Sequence, residues 1–513
     1  MNRRVLLALM AGCPALLSAA AARAEVADRI DTIVVIYAEN RSFDSLYGNF
    51  PGAHGLKGVK PSQYLQRDRD GTVLKELPPI WGGLTGNGVT PPITEAQTAH
   101  LPNRPFAVDD PQGFNLPLSI ETRDLWHLFY QNQMQINGGK NDKFAAWADS
   151  GGQVMGHYER DPSKLPLWKI AQKYTLADNF FQGAFGGSFL NHFFMVCSCT
   201  PVYPNADTSP AKGKIAAVEA DGVTLKVTGP SSALTTQPGA VFVNNGAITP
   251  DFFAVNTMGP PYQPSFVPAD PANPLLADKT NASYLPPQSM TTIGDLLNAR
   301  HISWAWYGGA WQAALDHVAN TPAPGAVPNF QFHHQPFNYF VKYAPGTAAR
   351  TEHLRDGGLA GVEFIKAIDA GNLPHVTFYK PQGNLNEHAG YTDVLQGDTH
   401  IADVISHLEK SKQWPHMLVV VTYDENGGWW DHIAPPKGDR WGPGSRVPAL
   451  IISPYAKRGY VDHTFYDTTS IIRFVTHRYD LPELPGIKER DAALKKNHSP
   501  RLGDLTNALA FGH

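Results

Sequence analysis

Val419-Val420-Val421-Thr422-Tyr423-Asp424-Glu425-Asn426-Gly427-Gly428-Trp429-Trp430-Asp431-His432 is the stretch whose reading decides the fold. With Met417 and Leu418 in front of it, the apolar run has the length and composition of a strand buried on both faces of a sheet. It stops abruptly at Asp424-Glu425, and Gly427-Gly428 lets the backbone turn. Acidic side chains at the carboxyl end of a buried strand are where open α/β sheets place their chemistry. Two carboxylates held together there call for a positive charge between them, a metal or the groups around a phosphate. Taken alone, the same residues also suit an ordinary turn.

A second stretch has the same form. Asp31 to Ala38, Asp-Thr-Ile-Val-Val-Ile-Tyr-Ala, runs directly into Glu39-Asn40-Arg41-Ser42-Phe43-Asp44. If the two strands lie side by side, Glu39, Asn40, Asp424 and Glu425 converge, and three carboxylates with one amide oxygen make a hard-cation site. The expected fold is therefore α/β: a doubly wound, mixed but mostly parallel sheet flanked by helices. Further strands are read at Ser303–Tyr307, His375–Tyr379 and Pro448–Ile452. Helices are read at 120–135, carrying His127, and at 143–149, 166–174, 291–299, 397–409 and 469–477. Residues 205–265, alternating over 214–228 with a turn at Asp221-Gly222, read as a small β-rich insertion that covers or extends the site.

Between these elements lies Gly183-Ala184-Phe185-Gly186-Gly187-Ser188-Phe189-Leu190-Asn191-His192. Glycines before the serine and an apolar run after it place Ser188 at a helix N-terminus, where free N–H groups and the dipole favour phosphate. The same position suits a simple N-cap. The segment lacks the Gly-x-Ser-x-Gly of a nucleophile elbow. His333-His334 falls in a polar-aromatic loop, and Asn386-Glu387-His388 lies just past a strand end. Cys197 and Cys199, one residue apart, read as two buried free thiols.

The 513-residue chain is long enough for one large core with insertions. Only 17% of residues are charged, whereas Gly numbers 46 and Pro 43, which fits many ordered loops. A net charge of −4 without a basic run argues against nucleic-acid binding. Residues 1–24 have the form of a cleaved export signal: Arg3-Arg4, an apolar run, and Ala22-Arg23-Ala24 as cleavage site. Residues 25–513 would then form one domain, delivered by the Sec or twin-arginine route to the periplasm or the medium, with no permanent membrane anchor.

The Glu39–Asp44 and Asp424–His432 motifs together resemble the bacterial phosphoesterase family that joins phosphatidylcholine-type phospholipases C with the acid phosphatase A group. The 178–192 segment, Asn386-Glu387-His388 and the 444–453 segment extend the resemblance, and His333-His334 with a serine at 188 favours the acid phosphatase branch. The resemblance implies an alkaline-phosphatase-like fold, one divalent metal ion (Ca, Mg, Mn, Zn or Fe) and a transiently phosphorylated Ser188. It implies Glu39, Asn40, Asp424 and Glu425 around the metal, and catalytic roles for His127 and His388. Substrate contacts would come from Asn191, His192, His333 and His334, with His192 standing where the family often has arginine. The expected activity is hydrolysis of small phosphate monoesters below neutral pH, using a histidine charged at mildly acidic pH. Phospholipase C action on phosphatidylcholine-type head groups is the alternative. An exported binding protein using its aromatic residues (11%) for stacking is a third reading.

Overall fold

The computed structural model describes residues 27–316 and 330–510, so the export signal lies outside the described residues. An eight-stranded sheet organises them. Its strands in chain order are β1 (Thr32–Ala38), β2 (Thr175–Ala177), β3 (Trp304–Gly309), β4 (Leu354–Gly358), β5 (Val376–Lys380), β6 (Met417–Tyr423), β7 (Ala449–Ile452) and β8 (Tyr460–Asp462). Their order across the sheet is β8-β2-β7-β6-β1-β5-β3-β4. Only β7 runs against the others, pairing antiparallel with β6 and β2. This is the mixed, mostly parallel sheet expected. The two strands that carry the acidic motifs are central neighbours, every residue of both is buried, and they pair in register to the end, Ala38 opposite Tyr423. Such burial requires uninterrupted apolar side chains, which is why both stretches are legible as strands.

Helices flank the sheet. One group is α3 (Pro166–Lys173), α6 (Val362–Ala370) and α7 (Val394–Lys410); the other includes α4 (Ser188–Cys197), α5 (Ile293–Ala299) and α8 (Thr468–Arg478). The short α1 (Phe43–Tyr47) follows the first motif, α2 (Phe129–Ile136) precedes the glycine-rich segment, and α9 (Pro485–Lys496) is the last α-helix of the described residues. Among the described residues no helix is long and apolar enough to cross a membrane.

Three expectations are corrected. The helix read over 120–135 begins only at Phe129, so His127 stands in extended chain. There the Trp126 N–H donates to Asp149 and the Leu125 N–H to Asp124, and these side-chain bonds hold the backbone out of a helix. Within 205–265 the alternation yields isolated bridges, Ile215 to Ile248, Val218 to Leu225 and Val227 to Phe242, rather than extended strands. Gly213, Gly222, Gly229-Pro230 and Gly246 interrupt the chain too often for a longer ladder. Cys197 and Cys199 are joined in a disulfide at the end of α4, not free. The left-handed turn at Ser198 (φ 48°) brings the two side chains together.

Candidate active site

β1 and β6 deliver their acidic residues side by side at the carboxyl edge of the sheet. Asn40 takes a left-handed conformation (φ 57°), which asparagine tolerates. Gly427 (φ 62°) is indispensable beside it: a Cβ there would lie 2.5 Å from the Asn40 carbonyl oxygen. The bare glycine thus lets the two motif loops touch. α4 begins at Ser188 with Gly187 as its cap residue, leaving the serine hydroxyl free of capping duty. A Cβ on Gly187 would come within 2.6 Å of the His127 carbonyl, so this glycine lets the helix start press against the His127 segment.

The Ser188 Oγ lies 3.3 Å from Glu39 Oε2, 3.4 Å from Asn40 Oδ1 and 3.2 Å from Glu425 Oε1. One hydroxyl proton can satisfy only one of three acceptors, so the remaining oxygens face one another. Behind them, Asp424 and Glu425 are fully buried. Burial, together with the charge of Glu39, pushes both carboxyls well above their ordinary pKa. For Glu39 burial acts the same way, but His334 and Lys380 outweigh it and hold the carboxyl well below the usual range. His334 Nε2 lies 2.6 Å and Lys380 Nζ 2.5 Å from Glu39 Oε1, and Lys380 Nζ is 3.7 Å from Asp424 Oδ2.

His127 Nε2 stands 3.6 Å from Glu425 Oε1, the oxygen that Ser188 also meets, and His388 Nε2 stands 3.7 Å from Glu39 Oε2. His388 stacks on Tyr391 at 3.9 Å. Burial lowers the pKa of His192, His333 and His388, and that of His334 to about 4. A cavity of about 220 Å³ opens onto Ser188; His127, His333, His334 and His388 line it, joined by Tyr391 and, from the insertion, Asn256 and Thr257.

The donor chemistry fits a cation. The oxygens of Glu39, Asn40 and Glu425 converge on Ser188, and Asp424 Oδ2 is buried without a hydrogen bond. Glu39, His192 and His334 also form a group able to offer three ligand atoms within 4.8 Å of one another. A carboxylate-rich set suits Mg, Ca or Mn, and the adjoining imidazoles suit Zn or Fe.

Most sequence-predicted residues meet here: Ser188, Glu39, Asn40, Asp424, Glu425, His127, His388, His333 and His334. Asn191 does not face the cavity. Its amide accepts from the Ala184 N–H at 2.9 Å and donates to the Ala184 and Gly187 carbonyls, holding the glycine-rich loop in shape. His192 is likewise turned inward, its Nδ1 2.7 Å from the Ser188 carbonyl and its ring stacked on His334. The Trp429-Trp430 pair is buried; Trp430 donates to the Asn141 carbonyl and Trp429 packs near Arg41. Asp431 and His432 join Asp44 and Arg446 in a buried ion cluster beside the site. Lys380 was the residue missed. Its signal was present: a cation ending the buried run Val-Thr-Phe-Tyr-Lys at the same sheet edge.

Residues 30–482 match the family described as Phosphoesterase family. The chain belongs to that family. Among curated relatives, phospholipase C B of Mycobacterium tuberculosis is 22% identical over 94% of this chain and 78% of its own length. A non-hemolytic phospholipase C of Pseudomonas aeruginosa is 27% identical, but over 44% of this chain and 33% of its own. Non-specific phospholipase C3 of Arabidopsis thaliana is 31% identical over 20% of this chain and 24% of its own. A solved protein of the alkaline phosphatase superfamily from Vibrio parahaemolyticus aligns over 64% of this chain and 63% of its own, with 12% identity and a TM-score of 0.30, too slight a likeness to bear on chemistry. Family membership makes this a phosphoric ester hydrolase, which fits a serine hydroxyl set among carboxylates and histidines.

Proposed function

We propose that the protein is an exported, metal-dependent phosphatase that hydrolyses small phosphate monoesters through a phosphoseryl intermediate, with Ser188 as nucleophile. The observation that carries this reading is the Ser188 Oγ at the start of α4, free of capping and 3.2–3.4 Å from three acceptor oxygens. Glu39, Asn40, Asp424 and Glu425 would hold a divalent cation. When bound, it would supply the positive charge that acidifies a serine hydroxyl and neutralises phosphate oxygens.

The protein's own groups account for the rest. Ser188 is aimed into the cavity by the Gly186-Gly187 turn, and the helix start favours the phosphoryl oxygens. Burial lowers the pKa of His333, His334 and His388, which line the cavity as hydrogen-bonding groups. His127, its side chain 19% exposed at the cavity and its Nε2 3.6 Å from Glu425 Oε1, is the histidine placed to protonate the leaving oxygen. The cavity of about 220 Å³ falls below the ~300–1,000 Å³ usual for drug-sized ligands. Its size supports a small phosphate ester or head group.

The phospholipase C reading is favoured by the names of the curated relatives and uses the same machinery on a phosphodiester. Turnover of p-nitrophenyl phosphate against phosphatidylcholine separates the two. Ser188→Ala should lower aryl phosphate turnover by about a thousandfold or more. Retained turnover in a folded Ser188→Ala variant, or failure to trap phosphate on Ser188 by acid quench and mass spectrometry, would reject the serine assignment.

A further inference from the structure

His54, Asp178 and His463 form a cluster outside the catalytic cavity, each offering one ligand atom within 4.8 Å of the others. Asp178 follows β2 and is fully buried, His54 comes from the loop after α1, and His463 follows β8. The two histidine side chains are 60% and 47% exposed. Both Nδ1 atoms face the same carboxylate. His463 Nδ1 lies 2.8 Å from Asp178 Oδ1 and 2.9 Å from Oδ2, and His54 Nδ1 lies 3.5 Å from Oδ2. The imidazole centroids are 4.3 Å apart.

The surroundings are fixed by hydrogen bonds. The His54 N–H donates to Asp178 Oδ2 at 2.7 Å, Arg446 donates to the carbonyls of His54 and Asp178 at 2.8 Å each, and Asn179 donates to the His463 carbonyl. The Arg446 charge is matched by Asp44 and Asp431 and does not reach the Asp178 carboxylate. Among the described residues, the ion-pair partners of Asp178 are the two histidines alone. A carboxylate removed from water needs a cation. A single divalent ion between the three atoms would compensate the carboxylate through bonds to both imidazole nitrogens. Tetrahedral bonds of 2.0–2.1 Å put ligand atoms about 3.3 Å apart. The observed 2.8–3.5 Å separations bracket that edge, and the exposed imidazoles have room to adjust.

We propose that His54, Asp178 and His463 form a second metal site for a borderline divalent ion of the Zn(II) class, open to solvent at its outward position. Two imidazoles and one carboxylate select such an ion over Ca or Mg, which prefer oxygen ligands. The bound ion would tie the loop after α1 to the ends of β2 and β8.

The test uses the full chain, stripped with a chelator, equilibrated with Zn(II) and counted for bound metal, beside His54→Gln and His463→Gln. Neither residue belongs to the catalytic site, so aryl phosphate turnover should be retained in both. The wild type should bind one more zinc equivalent than either variant and show a zinc-dependent rise in melting temperature that the variants lack. Ca(II) should give no such difference. In the wild type alone, Zn(II) should protect His54 and His463 from diethyl pyrocarbonate, which keeps the test decisive if a variant fails to fold. Equal zinc content in wild type and folded variants, no protection of these two histidines, or the same difference with Ca(II) would overturn the proposal.

Discussion

Lys380 shows how much a single side chain settles. It ends β5 fully buried, with its ammonium between Glu39 and Asp424. Replacing it by Met would leave both carboxylates without that cation, and breaking a buried pair in this way costs about 3–5 kcal/mol. Urea unfolding of Lys380→Met with chelator present should show that loss; a change below about 1 kcal/mol would mean the carboxylates do not depend on it. His127 makes a different kind of prediction. On its proposed role as leaving-group acid, its change to Gln should lower turnover of phenyl phosphate by about 10²–10⁴-fold and that of p-nitrophenyl phosphate far less, since the better leaving group needs no proton. Both serine and carboxylates were readable because each sits beside a glycine turn or at a strand end, whereas Lys380 looked like an ordinary strand terminus.

At the scale of elements, the segment before α2 rests on Asp149. Its carboxylate accepts from the Trp126 N–H at 2.7 Å, and Gln153 donates to the Arg123 carbonyl, so the backbone beside His127 is held by side chains. Burial raises the Asp149 pKa to about 6. The folded state therefore takes up this proton before the unfolded state does, and the stability this confers below about pH 4 is lost as pH rises through about 6. Asp149→Asn keeps an acceptor for Trp126 without the charge. Melting curves should show it neutral near pH 4 and stabilising by about 1–3 kcal/mol near pH 8. The helix expected around His127 failed for the same local reason: periodicity reports which side chains are apolar, not which backbone N–H a distant aspartate will claim. Conversely, α6 and α9 were not assigned from sequence, and α9 is amphipathic only weakly, with Ile487, Arg490 and Leu494 buried on one side.

On the scale of the whole molecule, the site is assembled from segments nearly four hundred positions apart in the chain, and a cation would join them. Dialysis against a chelator should lower phosphatase activity by about a hundredfold or more and depress the melting temperature, with both restored by a divalent ion. Unchanged activity in chelated protein, verified free of metal, would reject a metal requirement. The sequence by itself determined the central strands and their acidic ends, because a strand buried on both faces must be apolar throughout and its polar terminus stands out. It likewise determined Ser188 at a helix start, through the glycines that close packing demands. Only the tertiary structure decided that Asn191 and His192 turn inward and that Trp429-Trp430 lie buried. It also brought Arg446 to Asp431 and Lys380 to Glu39. The physical reason is that residue type and period specify which faces are buried. The partner of a buried polar group depends on which distant segments the sheet brings within hydrogen-bond reach.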